Sequence, residues 1–379
     1  MNKVDKLKKK LEYAFEEKDY YEAHQIYRTI YYRSITGEVF QELLELLFEG
    51  SMKLIEVNEY TSAIDLAELY VDTLIKSNTP VTNAVLENIY QLLSKLPSRL
   101  EADTTKDSNN VDRRNKLLNL AVKWSMQVSE KRFHRAKGHP ALHFQLAKLL
   151  WSEKNWPAAR THFLLADQPE KFAEFLIDLH TGCAFQSEYD LFIAQAVLQV
   201  LCQRKVKVAN VLFQSYTAKH PQIQSEPPYK SPLLNFIWLL LMAISLRNLA
   251  YFTELISKYR PTIDRDPNYI GYLDKIGQLF FGLPPPQKKD GGGLFQNLMK
   301  GLISKPGENS DGPSTNDLFS SDDDEDMSAY ADADDESFMT ASSSADALNQ
   351  EGSTSNTPVK EPQSKRSKPE KMNVDLDLD

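Results

Sequence analysis

Only two cysteines, Cys183 and Cys202, occur in 379 residues, and they do not form a CxxC pair. That argues against a disulfide framework or a cysteine-based zinc site, and it fits a reducing compartment, the cytosol. No phosphate-cradling GxxxxGK[ST] is present, and the GGG at 291–293 does not follow a strand. No GxSxG nucleophile turn occurs either. His139 and His143 are spaced i, i+4 with His162 beyond them, but there is no HExxH and no marked further ligand. His139, in GHP, reads instead as part of a turn that starts a helix. No apolar run reaches the roughly 20 residues that a membrane-spanning helix needs. The longest, PLLNFIWLLLMAISL (232–246), reads as a buried helix, and MNKVDKLKKKLEYAF lacks a signal-peptide core. The expectation is a chain without catalytic residues, metal or cofactor, and without direct membrane insertion.

Charge is unevenly distributed. Residues 283–379 carry 9 Lys+Arg and 20 Asp+Glu, a net of −11, whereas residues 1–282 carry 35 and 33, a net of +2. The acidity belongs to the end of the chain, and the body is nearly neutral. FGLPPPQKKDGGGLF (281–295) marks the break, since three prolines followed by three glycines continue neither helix nor strand. In LFQNLMKGLIS (294–304), Leu294, Leu298 and Leu302 recur every four residues, so a short amphipathic helix is expected. From Lys305 onward the Ser/Asp/Gly/Pro-rich sequence cannot bury enough apolar surface to offset chain entropy and reads as a disordered acidic tail. Within it, KRSKPEK (365–371) is a weak match to a basic nuclear-import patch and reads rather as solvated charge, and no fixed geometry aligns the tail's acid pairs for catalysis.

The body reads as helix after helix. Apolar stripes at helical spacing run over 3–17, 38–55, 59–77, 81–96, 111–129, 140–154, 156–167, 187–204, 206–219, 232–247, 249–259 and 267–281. Short breakers such as TGE, SNTP, KGHP, DQPE and YRP separate them. QIQSEPPYKS (222–231) is the one place where a small hairpin could sit, although its prolines weigh against it. A local motif returns: KDYYEAHQIY (18–27), NEYTSAIDLA (58–67) and KNWPAARTHF (154–163) share a polar pair, an aromatic, two spacers and an alanine. This resembles the start of the second helix in tetratricopeptide-like repeats, where a small residue lets the paired helix approach. The fold expected is all-α, a divergent α-solenoid of helical hairpins, with a globular helical bundle as the alternative.

EEKDYYEAHQIYRTIYYR (16–33) holds five tyrosines, two arginines and a histidine. At 100° per residue, Tyr20, Ala23, Tyr27 and Ile30 share one face, which looks like repeat core. Tyr21, His24, Arg28 and Tyr32 share another, about 120° around. Tyr and Arg are enriched where protein partners dock, so this row is either a docking face or a face packed on a neighbouring helix with its polar tips in solvent. The tyrosine pairs could also stack bases, but the nearly neutral body lacks a basic stripe beyond the first helix, which argues against nucleic acid.

DYYEAHQIYRTI resembles the N-terminal signature of the Golgi to ER traffic protein 4 family, α-solenoid adaptors of tail-anchored membrane protein targeting. The resemblance continues through SAIDLA (62–67), GHPALH (138–143), FIAQAVLQVLC (192–202) and KHPQI (219–223). It then takes in PPYKSPLLNFIWLLLMAI (227–244), DPNYIGYLDKIGQLFFGLPPP (266–286) and GGGLFQNLM (291–299), so that it covers about residues 5–304. It implies an adaptor with no chemistry of its own. The N-terminal half (1–155) would bind the ArsA-like ATPase that carries tail-anchored clients, favouring its nucleotide-loaded form and slowing hydrolysis. The C-terminal half (156–282) would hold a ubiquitin-like-domain protein, and in animal relatives also a large chaperone scaffold. Residues 283–304 would be a linker with a short helix.

The signature positions that carry over to the ATPase face are Tyr20, Tyr21, Glu22, His24, Arg28 and Arg33, with Asp65 acting on hydrolysis. The lysines of the first helix would add electrostatic steering. For the ubiquitin-like partner the expected residues are Leu234, Phe236, Ile237, Trp238 and Leu241, with Tyr269, Tyr272, Leu273, Ile276, Phe280 and Phe281. The alternative for each is that it packs the last repeats. The acidic tail is longer than the family pattern and inherits no role, and PSRLEADTTKDSNNVDRRN (97–115) reads as an expanded loop. A different class, a scaffold subunit of a lid or signalosome-type complex, would share the helical repeats.

Overall fold

The computed structural model describes residues 3–98, 108–223 and 226–284. Over these the protein is an all-α solenoid. Helix α1 (Lys3–Glu16) pairs with α2 (Tyr20–Thr36) and α3 (Phe40–Glu56) with α4 (Tyr60–Lys76), whereas α6 (Ser108–Gln127), after α5 (Asn83–Lys95), packs chiefly on α4. A short α7 (Arg132–Lys137) leads into α8 (Pro140–Ser152), which pairs with α9 (Trp156–Leu165). Then come α10 (Pro169–Cys183), a 3-10 turn, α11 (Tyr189–Leu201), α12 (Val206–Lys219), α13 (Pro232–Ser245), α14 (Leu249–Lys258), the brief α15 (Arg260–Ile263) and α16 (Asn268–Phe281).

The helix expected over each stripe is present, with ends shifted by a few residues. Besides the short α7, α15 and 3-10 turn, three points differ. Helix α10 was not expected, because DQPE reads as a breaker, whereas Pro169 sits at the first helical position, where its missing N–H costs nothing. The expanded loop of 97–115 is shorter than expected, since Ser108 onward is already helix. No strand occurs in the described part of 222–231; Ser231 instead caps α13, its side chain accepting from the Leu233 N–H. The short helix of 294–304 and the acidic tail lie outside the described residues.

The recurring motif has a physical basis. Its first residue takes a left-handed backbone: Lys18 (φ 58), Asn58 (φ 62) and Lys154 (φ 53). The next residue then donates its N–H five residues back, Asp19 to the Ala14 carbonyl, Glu59 to Leu54 and Asn155 to Leu150, each at 2.9 Å. That is the Schellman helix stop. The alanine five residues after each left-handed residue (Ala23, Ala63, Ala159) is completely buried. Arg204 (φ 60) begins a fourth copy, RKVKVANVLF, in which Val206 replaces the aromatic and Ala209 is again buried. Close approach is most acute at Gly50 of α3, where a Cβ would lie 2.5 Å from the buried Tyr27 ring of α2.

Two apolar cores form. One is built by α1 to α8, and the other by α8 to α16. Helix α8 feeds both, with Leu142, Leu146 and Leu149 in the first and Ala147 and Leu150 in the second. A buried arginine fastens the region: Arg114 of α6 donates Nε–H to the Leu93 carbonyl at 2.9 Å and pairs with Glu153, which caps α8. In the second core, Asp190 of α11 pairs with Arg265 at 2.7 Å and accepts from Ser231 at 2.5 Å, which ties α11 to the start of α13.

Two histidine pairs bridge helices. His143 Nε2 lies 2.8 Å from the Lys137 carbonyl oxygen and so donates there, which leaves its Nδ1 to accept from His162 Nδ1 at 2.7 Å. His220 Nε2 lies 3.0 Å from His180 Nδ1. Burial, then the facing histidine, lowers His162 to about 3 and His220 to about 4. Both groups are neutral when folded and near 6.5 when unfolded, so the unfolded chain binds more protons below that pH. Their stabilisation is therefore complete above pH 6.5 and is lost as pH falls toward 4 and then 3. Melting at pH 5 should lie clearly below melting at pH 7, His162 alone accounting for about 2 kcal/mol of the difference. His162→Gln should make that dependence clearly shallower, His220 supplying the rest, and an equally steep fall in the variant would remove His162 as a cause.

Candidate functional site: the α2–α4–α6 face

Helix α2 opens at Asp19, whose carboxylate accepts from the Glu22 N–H at 2.9 Å. This start sets the rotation of the tyrosine-rich stretch. Ala23, Tyr27 and Ile30 are buried, and Tyr20 is half-buried with its ring 6.1 Å from Phe15. Two residues the helical wheel left out, Ile26 and Tyr31, are buried as well. The core stripe is therefore wider than one row, because α2 packs on α1 and α3 as well as on α4.

The second row faces α4. His24 Nε2 lies 2.8 Å from Asp65 Oδ2, and Arg28 Nη1 lies 3.0 and 3.1 Å from the two Asp65 oxygens. Arg28 Nη2 also donates to the Tyr32 hydroxyl at 3.3 Å. Burial pushes the Asp65 carboxyl up, but the His24 hydrogen bond and the charges of Arg28 and Arg113 outweigh it and hold Asp65 below the usual carboxylate range. Asp65 stays ionised and locks Arg28 in one pose. Around this bracket Tyr21 is 76% exposed and Tyr32 57%. His24 and Arg28 therefore pack on the neighbouring helix α4, while Tyr21 and Tyr32 stand in solvent.

The bracket does not include every expected residue. Glu22 is exposed and pairs loosely with Lys10 of α1 at 3.6 Å. Arg33 is exposed at the end of α2, about 140° around the helix from Arg28. Other residues join the face that sequence reading did not single out. The Tyr31 hydroxyl donates to Asp72, Lys76 pairs with Asp72 at 2.7 Å, and Glu68 pairs with Arg113 of α6 at 2.8 Å. Asp65, Glu68, Asp72 and Lys76 lie at helical spacing along α4, and that stripe was the signal available.

At the C-terminal end, seven of the eleven expected residues are core. Leu234, Phe236, Ile237, Leu241, Tyr269, Leu273 and Ile276 are buried among α11 to α16 and offer no surface to a partner. Trp238, Tyr272, Phe280 and Phe281 are only partly buried. Tyr272 accepts from the Gln199 side chain, whose carbonyl holds the partly buried Arg160. Unexpected exposed apolar residues lie where α13 turns into α14: Met242, Leu246 and Leu249.

Among the described residues no cluster of three or more His, Cys, Asp or Glu could hold a metal, and no helix is long and apolar enough to cross a membrane. His139 caps α8, its Nδ1 accepting from the Ala141 N–H at 3.3 Å.

Stacked hairpins with a charged, tyrosine-edged face define an α-solenoid of the helical-repeat class. The family model for Golgi to ER traffic protein 4 matches residues 38–303. The chain is 41% identical over 309 residues to a Golgi to ER traffic protein 4 homolog of Oryzias latipes, covering 82% of this chain and 90% of that one. It is 41% identical over 300 residues to the Homo sapiens homolog, covering 79% and 87%. Its fold matches the chain in the crystal structure of C. therm. Get4, with TM-score 0.63 and 22% identity over 82% of this chain and all of that one. The chain belongs to the Golgi to ER traffic protein 4 family, and so to the proteins of ER targeting and transport.

Proposed function

We propose that this chain is a non-enzymatic cytosolic adaptor in the post-translational targeting of tail-anchored membrane proteins to the ER. Its N-terminal half, 1–155, docks the client-carrying ArsA-like ATPase and restrains its ATP hydrolysis. Its C-terminal half, 156–282, holds a ubiquitin-like-domain partner, and a chaperone scaffold would dock on that half too. The observation that carries this reading is the Asp65 bracket. It holds Arg28 and His24 at a fixed spacing between exposed Tyr21 and Tyr32, at positions the family resemblance assigns to the ATPase. A preset arginine flanked by exposed tyrosines is the side-chain chemistry of an interface hot spot, with little ordering cost left on binding. Tyr20, Glu22 and Arg33 would lie at the rim of that contact.

For the C-terminal partner, the accessible residues of the expected set are Trp238, Tyr272, Phe280 and Phe281, and the seven buried ones act by shaping the helices beneath. Residues 283–304 and 305–379 serve as linker and tail. Affinity purification of the chain from its own cytosol, with mass identification, tests the reading. Recovery of an ArsA-like ATPase and a ubiquitin-like protein supports it. Recovery of a lid-type multi-subunit complex without them would overturn it.

A further inference from the structure

Beside the Asp65 bracket, residues of α2, α4 and α6 line an open groove of about 630 Å³. Leu69 and Leu120 contribute apolar lining, and Tyr32 lines it too. Two carboxylates face it, and both are already neutralised: Glu68 by Arg113 at 2.8 Å, and Asp72 by Lys76 at 2.7 Å with the Tyr31 hydroxyl also donating to it. The opposite wall carries Lys116 and Lys123, both exposed and both without a hydrogen bond or ion pair among the described residues. They stand seven residues apart on α6, two turns or about 10 Å. The paired charges cancel locally, so the groove presents two unspent cations along its α6 side, with Leu120 between them in sequence and Leu69 on α4.

We infer that this groove receives an acidic segment of the same protein partner that docks on the Asp65 bracket, with carboxylates about 10 Å apart on Lys116 and Lys123 and an apolar side chain between them on Leu69 and Leu120. This rests on the reading of the α2–α4 face as the ATPase-docking surface, and it extends that surface across α4 onto α6. Tyr32 belongs to both, since it accepts from Arg28 and also edges the groove. Two exposed lysines contribute mainly through long-range attraction, which raises the association rate and is screened by salt.

The test measures affinity for the organism's ArsA-like ATPase with the full-length chain at low and high salt, comparing native, Arg28→Glu, K116E/K123E and K116Q/K123Q. Both lysines are exposed, so the variants should fold, and circular dichroism checks this. K116E/K123E should bind about tenfold more weakly at low salt, K116Q/K123Q should fall between, and both should show a shallower salt dependence than native. Loss of binding in Arg28→Glu with native affinity in K116E/K123E would overturn the groove assignment and leave the docking surface standing. Native affinity in all variants would overturn both. A change in the mass of the isolated chain on K116E/K123E substitution would mean that the groove seats a second copy, which also overturns the inference.

Discussion

Glu153→Ala should destabilise the protein by about 3–5 kcal/mol, the cost of leaving a buried charge without its partner. Arg114 is 2% exposed, and its guanidinium has two acceptors, the Leu93 carbonyl and the Glu153 carboxylate. Removing the carboxylate strands a cation between α5, α6 and α8, the helix that contributes to both cores. Denaturation followed by circular dichroism measures the change. Because much of the penalty is desolvation, the double variant Arg114→Met/Glu153→Leu should recover most of the loss. A Glu153→Ala protein within about 1 kcal/mol of native, the range of an exposed pair, would show that water reaches Arg114.

Arg28→Glu should cost roughly 2–3 kcal/mol of ATPase affinity, about 30- to 150-fold, and leave the ubiquitin-like partner bound. The lower part of the range for interfacial charge pairs applies because the Arg28 side chain is 36% exposed. The substitution removes the cation offered between Tyr21 and Tyr32 and sets a second carboxylate against Asp65. Folding should be little affected, since His24 still holds Asp65 at 2.8 Å. Arg28→Lys is an informative companion: it keeps the charge but loses the planar fork that reaches Asp65 and Tyr32 together, so it should fall between native and Glu. Equal ATPase affinity for native and Glu would take Arg28 off the docking surface.

The fold was largely legible because apolar spacing and the polar-pair–aromatic–alanine motif both report helix packing. The motif marks where a helix stops in a left-handed residue and where the next helix must approach closely. Its copy at 204–213 escaped because Val206 does the aromatic's work, and α10 escaped because Pro169 starts a helix as readily as it ends one. At the N-terminal site, rotation on one helix separated core from face. It could not show that His24 and Arg28 meet Asp65, 41 and 37 residues away, because that depends on how two hairpins stack. The Tyr31–Asp72–Lys76 cluster was hidden for the same reason. At the C-terminal end, aromatic density did not separate core from surface, since seven of the eleven expected residues are buried. Phe236 and Tyr269 fill the core, while Met242, Leu246 and Leu249 stand exposed around the α13–α14 junction, which composition does not distinguish.

The central claim is that two separate docking surfaces on one inert solenoid bind different partners at once. The most direct test is the mass of the complex formed when the full-length chain is mixed with both the ATPase and the ubiquitin-like protein, by light scattering after size exclusion. The account predicts one species containing all three, and with Arg28→Glu a smaller one that has lost only the ATPase. Two partners that displace one another, or an Arg28→Glu chain that releases both, would contradict it.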